Sequence, residues 1–223
     1  ICAFTAFKGC SKLDFSKSLD IDIEDYHEEI SDDRFNFKGS NIIIDDKRDT
    51  RLFRWYPVAE GSQQVERRPV MSEIRQGDIA DCWLLAALAS IANFQPGVIK
   101  NIIKENSDGT TVDVTFQREL LSGVFRKETY TVEKSTFRTI GRGRIMSKYP
   151  ASLWAQMIEK AFSAYLAKGQ NSIDFNNLAM GGGGSKNAFK AILGKDARKD
   201  IGLLFDRDVA GLFNTIKSAL DEN

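Results

Sequence analysis

The amino-acid sequence predicts an α+β fold, mainly helical, in which a central helix carries a cysteine and a small antiparallel hairpin packs beside it. Three observations point there. Residues 83–92 form an almost wholly apolar run with the length of a buried helix. Leu153, Trp154, Met157, Ile158, Ala161, Phe162 and Tyr165 recur at helical spacing as one apolar stripe, which reads as core. Val112, Val114 and Phe116 alternate with polar residues, Val124, Lys127, Tyr130 and Val132 follow less cleanly, and LLSG between the two runs supplies a turn.

Taken in order, residues 1–50 read as an acidic leader or accessory segment, solvated and partly helical, with Ile21, Ile23 and Ile30 spaced among the charges of LDIDIEDYHEEISDD. An EF-hand beginning at Asp20 fails, because Asp25 stands at the glycine position and Ser31 at the closing glutamate. NIIID, residues 41–45, reads as a short strand, and LFRWYPV as an extended segment ending at Pro57. Residues 51–223 read as one unit. After the cysteine helix a second helical segment spans 96–106 and stops at Asp108-Gly109. Residues 138–148, RTIGRGRIMSK, read as a solvated basic loop. The four glycines Gly181–Gly184 form an ordered turn before Ser185 opens a short helix. Asp208 caps a last helix with Leu212, Phe213, Ile216, Ala219 and Leu220 facing inward.

Composition excludes several classes. A formal net charge of +0 gives no long-range field for nucleic acid or an anionic membrane surface. No segment approaches the about 18–20 apolar residues of a membrane span, so no membrane span is expected. ICAFTAF at the start is too short for a signal-peptide core, and the first residue is not methionine, so the sequence reads as an excerpt or a processed piece. Cys2, Cys10 and Cys82 are too few for a disulfide framework. A free thiol fits a reducing compartment such as the cytoplasm, or delivery into one.

Residues 76–90, QGDIADCWLLAALAS, carry the most chemistry. Asp81 is a natural N-cap, which puts Cys82 in the first turn of the helix. There the unpaired backbone N–H groups and the positive end of the helix dipole favour a thiolate. Alone, a cysteine beside WLLAALA fits a core position better than a nucleophile's. Gln76 shifts the balance towards a nucleophile. Its amide can reach the oxygen of a tetrahedral intermediate, with the Cys82 N–H as second donor. Gly77 allows a tight loop, although Ala80 stands where a second glycine is expected.

This stretch resembles the nucleophile motif of calpain-type, papain-like cysteine proteases, QGxxGDCWLLAAxxxL, at Gln76, Gly77, Asp81, Cys82, Trp83, Leu84, Leu85, Ala86 and Ala87. LWAQMIEKAF (153–162) is similar to the family's FWxxLLEKAY helix, FNNLAMGGGG (175–184) to its YEALxGG turn, and FKAILGK (189–195) to its FEDFTGG segment. FNTIKSAL (213–220) resembles the helix that closes the first catalytic subdomain. The resemblance implies that residues 51–223 are a papain-like half domain acting on a protein or peptide substrate. It implies Cys82 as nucleophile, Gln76 as oxyanion donor, and Gly182 and Gly183 as backbone contacts to an extended substrate.

The same resemblance implies a partner. A thiol protease needs a base and a group that orients it, and in this family a histidine and an asparagine come from a second, strand-rich subdomain downstream. The sequence holds one histidine, His27, which matches no motif and reads as a surface residue. The family's calcium site would take Glu73 and a second acid at the position of Ser152, a poor ligand for a hard cation, so no cofactor is expected and calcium activation is not carried over. The expected activity is a calpain-like cysteine endopeptidase represented by its cysteine-bearing half, inactive without the downstream subdomain. A catalytically inactive pseudoprotease or protein-binding module, and a papain-like deamidase or transglutaminase-type toxin, stay open beside it.

Overall fold

The computed structural model describes residues 24–37, 39–121, 123–140, 143–147, 151–176 and 184–194. Strand matches helix in weight. Helix accounts for 33% and strand for 34%, in four helices and four sheets among the described residues, which overturns the mainly helical expectation.

The largest sheet has strand order β1 (Tyr26–Ile30), β8 (Val124–Glu133), β7 (Thr111–Leu121), β6 (Ile103–Glu105). The β7–β8 hairpin at its centre is the one legible in the sequence, but its strands run 11 and 10 residues, so it is not small. Val112, Val114 and Phe116 on β7 and Tyr130 and Val132 on β8 are all completely buried, as their alternation requires. β1 adds in parallel, pairing Tyr26 with Glu128 and Ile30 with Val132. Residues 26–30 are thus a strand where the acidic composition suggested partial helix.

Three smaller sheets complete the strand content. β3 (Ile42–Asp46), the predicted NIIID strand shifted by one residue, pairs antiparallel with β9 (Ser135–Thr139), which also holds β10 (Gly143–Arg144). β2 (Phe35–Asn36) pairs with β11 (Ile173–Asp174), and β4 (Arg54–Pro57) with β5 (Val65–Arg68). Most of these strands join partners far away in sequence. Each is short, so its period leaves little local signal.

Four helices pack on this framework. α1 (Cys82–Phe94) buries Leu84, Leu85, Ala87, Leu88, Ile91 and Ala92 and contacts each of the others. α2 (Pro96–Ile102) begins on a proline, which suits a first-turn position with no hydrogen bond to donate. It gives way to β6 at Ile103, earlier than the predicted helical span to 106. α3 (Trp154–Leu166) was expected to bury one stripe, yet every residue from Trp154 to Ala164 is buried. α4 (Ser185–Leu193) opens at Ser185, with Gly184 at its N-cap. The glycine turn before Gly184 and the helix expected after Asp208 lie outside the described residues.

An aromatic cluster locks α3 onto the main sheet. Phe162 meets Phe116 edge-on at 5.2 Å and Trp83 of α1 edge-on at 5.7 Å. This fixes the start of α1 against the sheet through the residue next to Cys82.

Candidate active site

Cys82 is the first residue of α1; its side chain is exposed and its thiol is free. The helix beneath it is anchored by the leucines that follow, so the sequence order of one exposed cysteine and then an apolar run produces a rigid platform with a solvent-facing thiol at its tip. Asp81 occupies the N-cap position, as expected, but its side chain makes no cap bond. It is completely buried, and Oδ1 accepts the Gln76 amide at 2.9 Å. The Asp81 side chain therefore leaves the first turn uncapped, while the Leu84 N–H bonds to the Asp81 carbonyl at 2.8 Å.

Gln76 is exposed and reaches the start of α1 through that bond. Its Nε2 also donates to the Ile79 carbonyl. Both amide protons are thus engaged at the approach to α1. The loop itself is pressed against residues 145–147. Asp78 and Ile79 donate their backbone N–H groups to the Ile145 carbonyl at 2.9 and 3.1 Å. A Cβ on Gly77 would stand 2.2 Å from the Met146 carbonyl oxygen and 2.3 Å from that of Ile145, so only glycine fits this approach. Ala80, by contrast, is exposed.

The backing segment corrects the reading of 138–148 as a solvated loop. Ile145, Met146 and Ser147 are buried. Ser147 donates its N–H to Glu159 of α3 at 2.9 Å (Oε2) and 3.2 Å (Oε1). Glu159 is completely buried and faces the Asp81 carboxyl. Burial, then the Asp81 charge, push the Glu159 carboxyl well above the usual range, and burial raises Asp81 against the opposing bonds from Glu159 and Gln76. Sequence reading missed Glu159. The available signal was a charged Glu-Lys pair inside a helix that is otherwise apolar on most faces.

Glu73 is buried too, with Oε1 accepting from the Tyr56 hydroxyl at 2.7 Å and Oε2 from the Trp154 indole N–H at 2.5 Å. Ser152 is also buried. Among the described residues no group of three or more His, Cys, Asp or Glu side chains is placed to hold a metal ion.

His27 lies on β1, the outer strand of the main sheet, with Nε2 2.7 Å from the Thr131 hydroxyl. Thr131 donates in turn to Asp113 at 2.6 Å, so the His27 ring must donate to Thr131. Its partners belong to this sheet, not to the loop and helix around Cys82. Gly182 and Gly183, the expected substrate contacts, and Cys2 and Cys10 lie outside the described residues. No single helix among the described residues is long and apolar enough to cross a membrane.

A sequence model of the calpain family cysteine protease domain matches residues 30–220. A search of curated proteins finds no match. The match spans most of the chain, which belongs to the calpain family of cysteine proteases, a family of hydrolases whose substrates are proteins.

Proposed function

We propose that this calpain-family chain is the nucleophile-bearing half of a cysteine endopeptidase. The observation that carries the reading is the exposed free thiol of Cys82 at the tip of a buried helix, with Gln76 held at the same helix start. Cys82 attacks the peptide carbonyl as thiolate. Its own N–H and the Gln76 amide receive the oxyanion, for which Gln76 exchanges its bond to the Ile79 carbonyl for one to substrate. The first turn supports this, since no Asp81 side-chain oxygen competes for its N–H groups. Gly182 and Gly183 remain proposed backbone contacts for an extended peptide.

The proton on the thiol and the one required by the leaving amine need a base that His27 is poorly placed to supply. We assign that role to a histidine of a second subdomain, oriented by an asparagine. The Glu73 geometry supports activity without calcium. Both its oxygens already accept hydrogen bonds from Tyr56 and Trp154, and Ser152 offers no carboxylate, so this residue set does not fit the cation.

The engagement of the one histidine with Thr131 also supports a second reading, a binding module that has lost catalysis. One experiment separates the two. The 223-residue chain, alone and mixed with a downstream histidine-bearing subdomain, is incubated with casein and with a peptide epoxide directed at thiol proteases. We expect epoxide labelling of Cys82 and casein cleavage in the mixture, unaffected by a calcium chelator and abolished by Cys82→Ala. General acid–base catalysis contributes about 10²–10⁴-fold, so the chain alone should show little or no turnover. Cleavage that survives Cys82→Ala, or none in the mixture, sinks the endopeptidase reading.

A further inference from the structure

Two buried carboxyls meet at the start of α1. Asp81 and Glu159 are both completely buried, and each carboxyl lies near enough to perturb the other. Among the described residues no N–H or hydroxyl donor reaches Asp81 Oδ2. Two ionised carboxylates offer acceptors only and cannot bond to each other. One proton between them removes the conflict, supplying the missing donor and leaving one buried charge in place of two.

The other groups facing the pair decide where that proton sits. Ser147 directs its N–H at Glu159, and Gln76 directs its amide at Asp81. Lys160, next to Glu159 on α3, turns away to Asp32, to the Ser135 hydroxyl at 2.7 Å and to the Glu133 carbonyl at 2.8 Å. Asp81 stands at the N-cap of α1, where the positive end of the helix dipole favours an anion, whereas Glu159 lies within α3. The charge therefore rests on Asp81, where the Gln76 amide meets it.

We propose that Glu159 is a positioning residue for the nucleophile loop: as a neutral acid it donates a hydrogen bond to Asp81, and the Asp81 carboxylate so fixed holds the Gln76 amide beside Cys82. Its catalytic meaning rests on the reading of Cys82 and Gln76 as nucleophile and oxyanion donor. The chain Glu159–Asp81–Gln76 links α3 to the helix start and to the loop, so the amide is preorganised before substrate arrives. The shared proton also spares a Cys82 thiolate a second carboxylate charge nearby.

The test uses the 223-residue chain, Glu159→Gln and Glu159→Leu, with readouts that need no turnover. Infrared difference spectra at neutral pH should show a protonated-carboxyl stretch in the parent that Glu159→Gln removes. NMR hydrogen exchange should find the Gln76 side-chain amide protected in the parent and in Glu159→Gln, whose amide still donates to Asp81 and accepts from Ser147. In Glu159→Leu that exchange should quicken about tenfold, the loss of roughly one hydrogen bond. A missing carboxyl band, or one that survives Glu159→Gln, overturns the proposal even if Glu159→Leu does not fold. Gln76 exchange unchanged in a folded Glu159→Leu overturns it as well. Failure of the endopeptidase reading shows separately, as absent Cys82-dependent cleavage with these two signals intact.

Discussion

Two glutamates in this protein have completely buried side chains and opposite fates. Glu128 on β8 is surrounded by cations: Arg118 at 2.5 Å, Lys168 at 2.6 Å and Arg126, with the Tyr130 hydroxyl donating at 2.9 Å. Glu159 on α3 faces another acid. Burial raises both carboxyls, but at Glu128 Lys168, Arg118 and Arg126 outweigh it and hold the group down at about 2, whereas the Asp81 charge adds to the burial of Glu159. Partners, not depth, decide ionisation. The sheet uses its glutamate as a fixed anion tying β7, β8 and the end of α3 together. The site keeps its glutamate as a neutral donor next to the chemistry.

The largest effect should come from removing the anion in the sheet. Glu128→Ala leaves Arg118, Arg126 and Lys168 facing one another, and unmasks the Tyr130 hydroxyl. Breaking a buried ion pair costs about 3–5 kcal/mol, and these cations retain 28%, 23% and 26% exposure, which favours the lower end. Urea unfolding should show a loss of about 3 kcal/mol. A loss below about 1 kcal/mol would mean that water replaces the carboxylate, as at a surface pair, and the contrast between the two regions would collapse.

On the site side the next largest effect is steric. Gly77→Ala forces a methyl group onto the Ile145 and Met146 carbonyls, 2.3 and 2.2 Å away. Overpacking of this kind costs about 1–3 kcal/mol. The loop should lift from residues 145–147 and carry Gln76 with it. Chemical denaturation measures the stability loss, and amide exchange at Asp78 and Ile79 should report the lost bonds to Ile145. Unchanged protection there would show that the backing segment does not hold the loop.

What the sequence disclosed follows the same division. Cys82 at a helix start, Asp81 before it and the Val112–Val114–Phe116 alternation were legible because each depends on neighbours within a few residues. The strand pairing of β1 with β8 was not, since Tyr26 finds Glu128 about a hundred residues on and five residues of mixed charge carry no clear period. Overlooking such strands is what made the fold look mainly helical. The site was half legible for the same reason. Gln76 and Cys82 share one motif, whereas Glu159, Ser147 and the carbonyls behind Gly77 reach it from other parts of the chain.

The smallest effect is the one that separates the two glutamates most cleanly, the slope of stability against pH. Glu128 has a folded value of about 2 against an ordinary 4.5. Between those values the unfolded chain binds a proton that the native state refuses, so stability is full above the window and is lost as pH falls through it. Glu159 is raised above the ordinary 4.5, so the sign reverses. As pH climbs from 4.5 towards the raised folded value, the unfolded chain releases a proton that the native state keeps, and stability declines. Glutamine titrates at neither site. Melting temperatures from pH 3 to pH 8 should therefore show Glu128→Gln flattening the acid limb, and Glu159→Gln gaining on the parent as pH rises. For a chain of this size the gain is about 2–4 °C per kcal/mol. Each slope is read within one variant, so any constant cost of the substitution cancels. A Glu159→Gln curve parallel to that of the parent above pH 4.5 would make Glu159 an ordinary ionised carboxylate. Asp81 would then need another donor for its second oxygen.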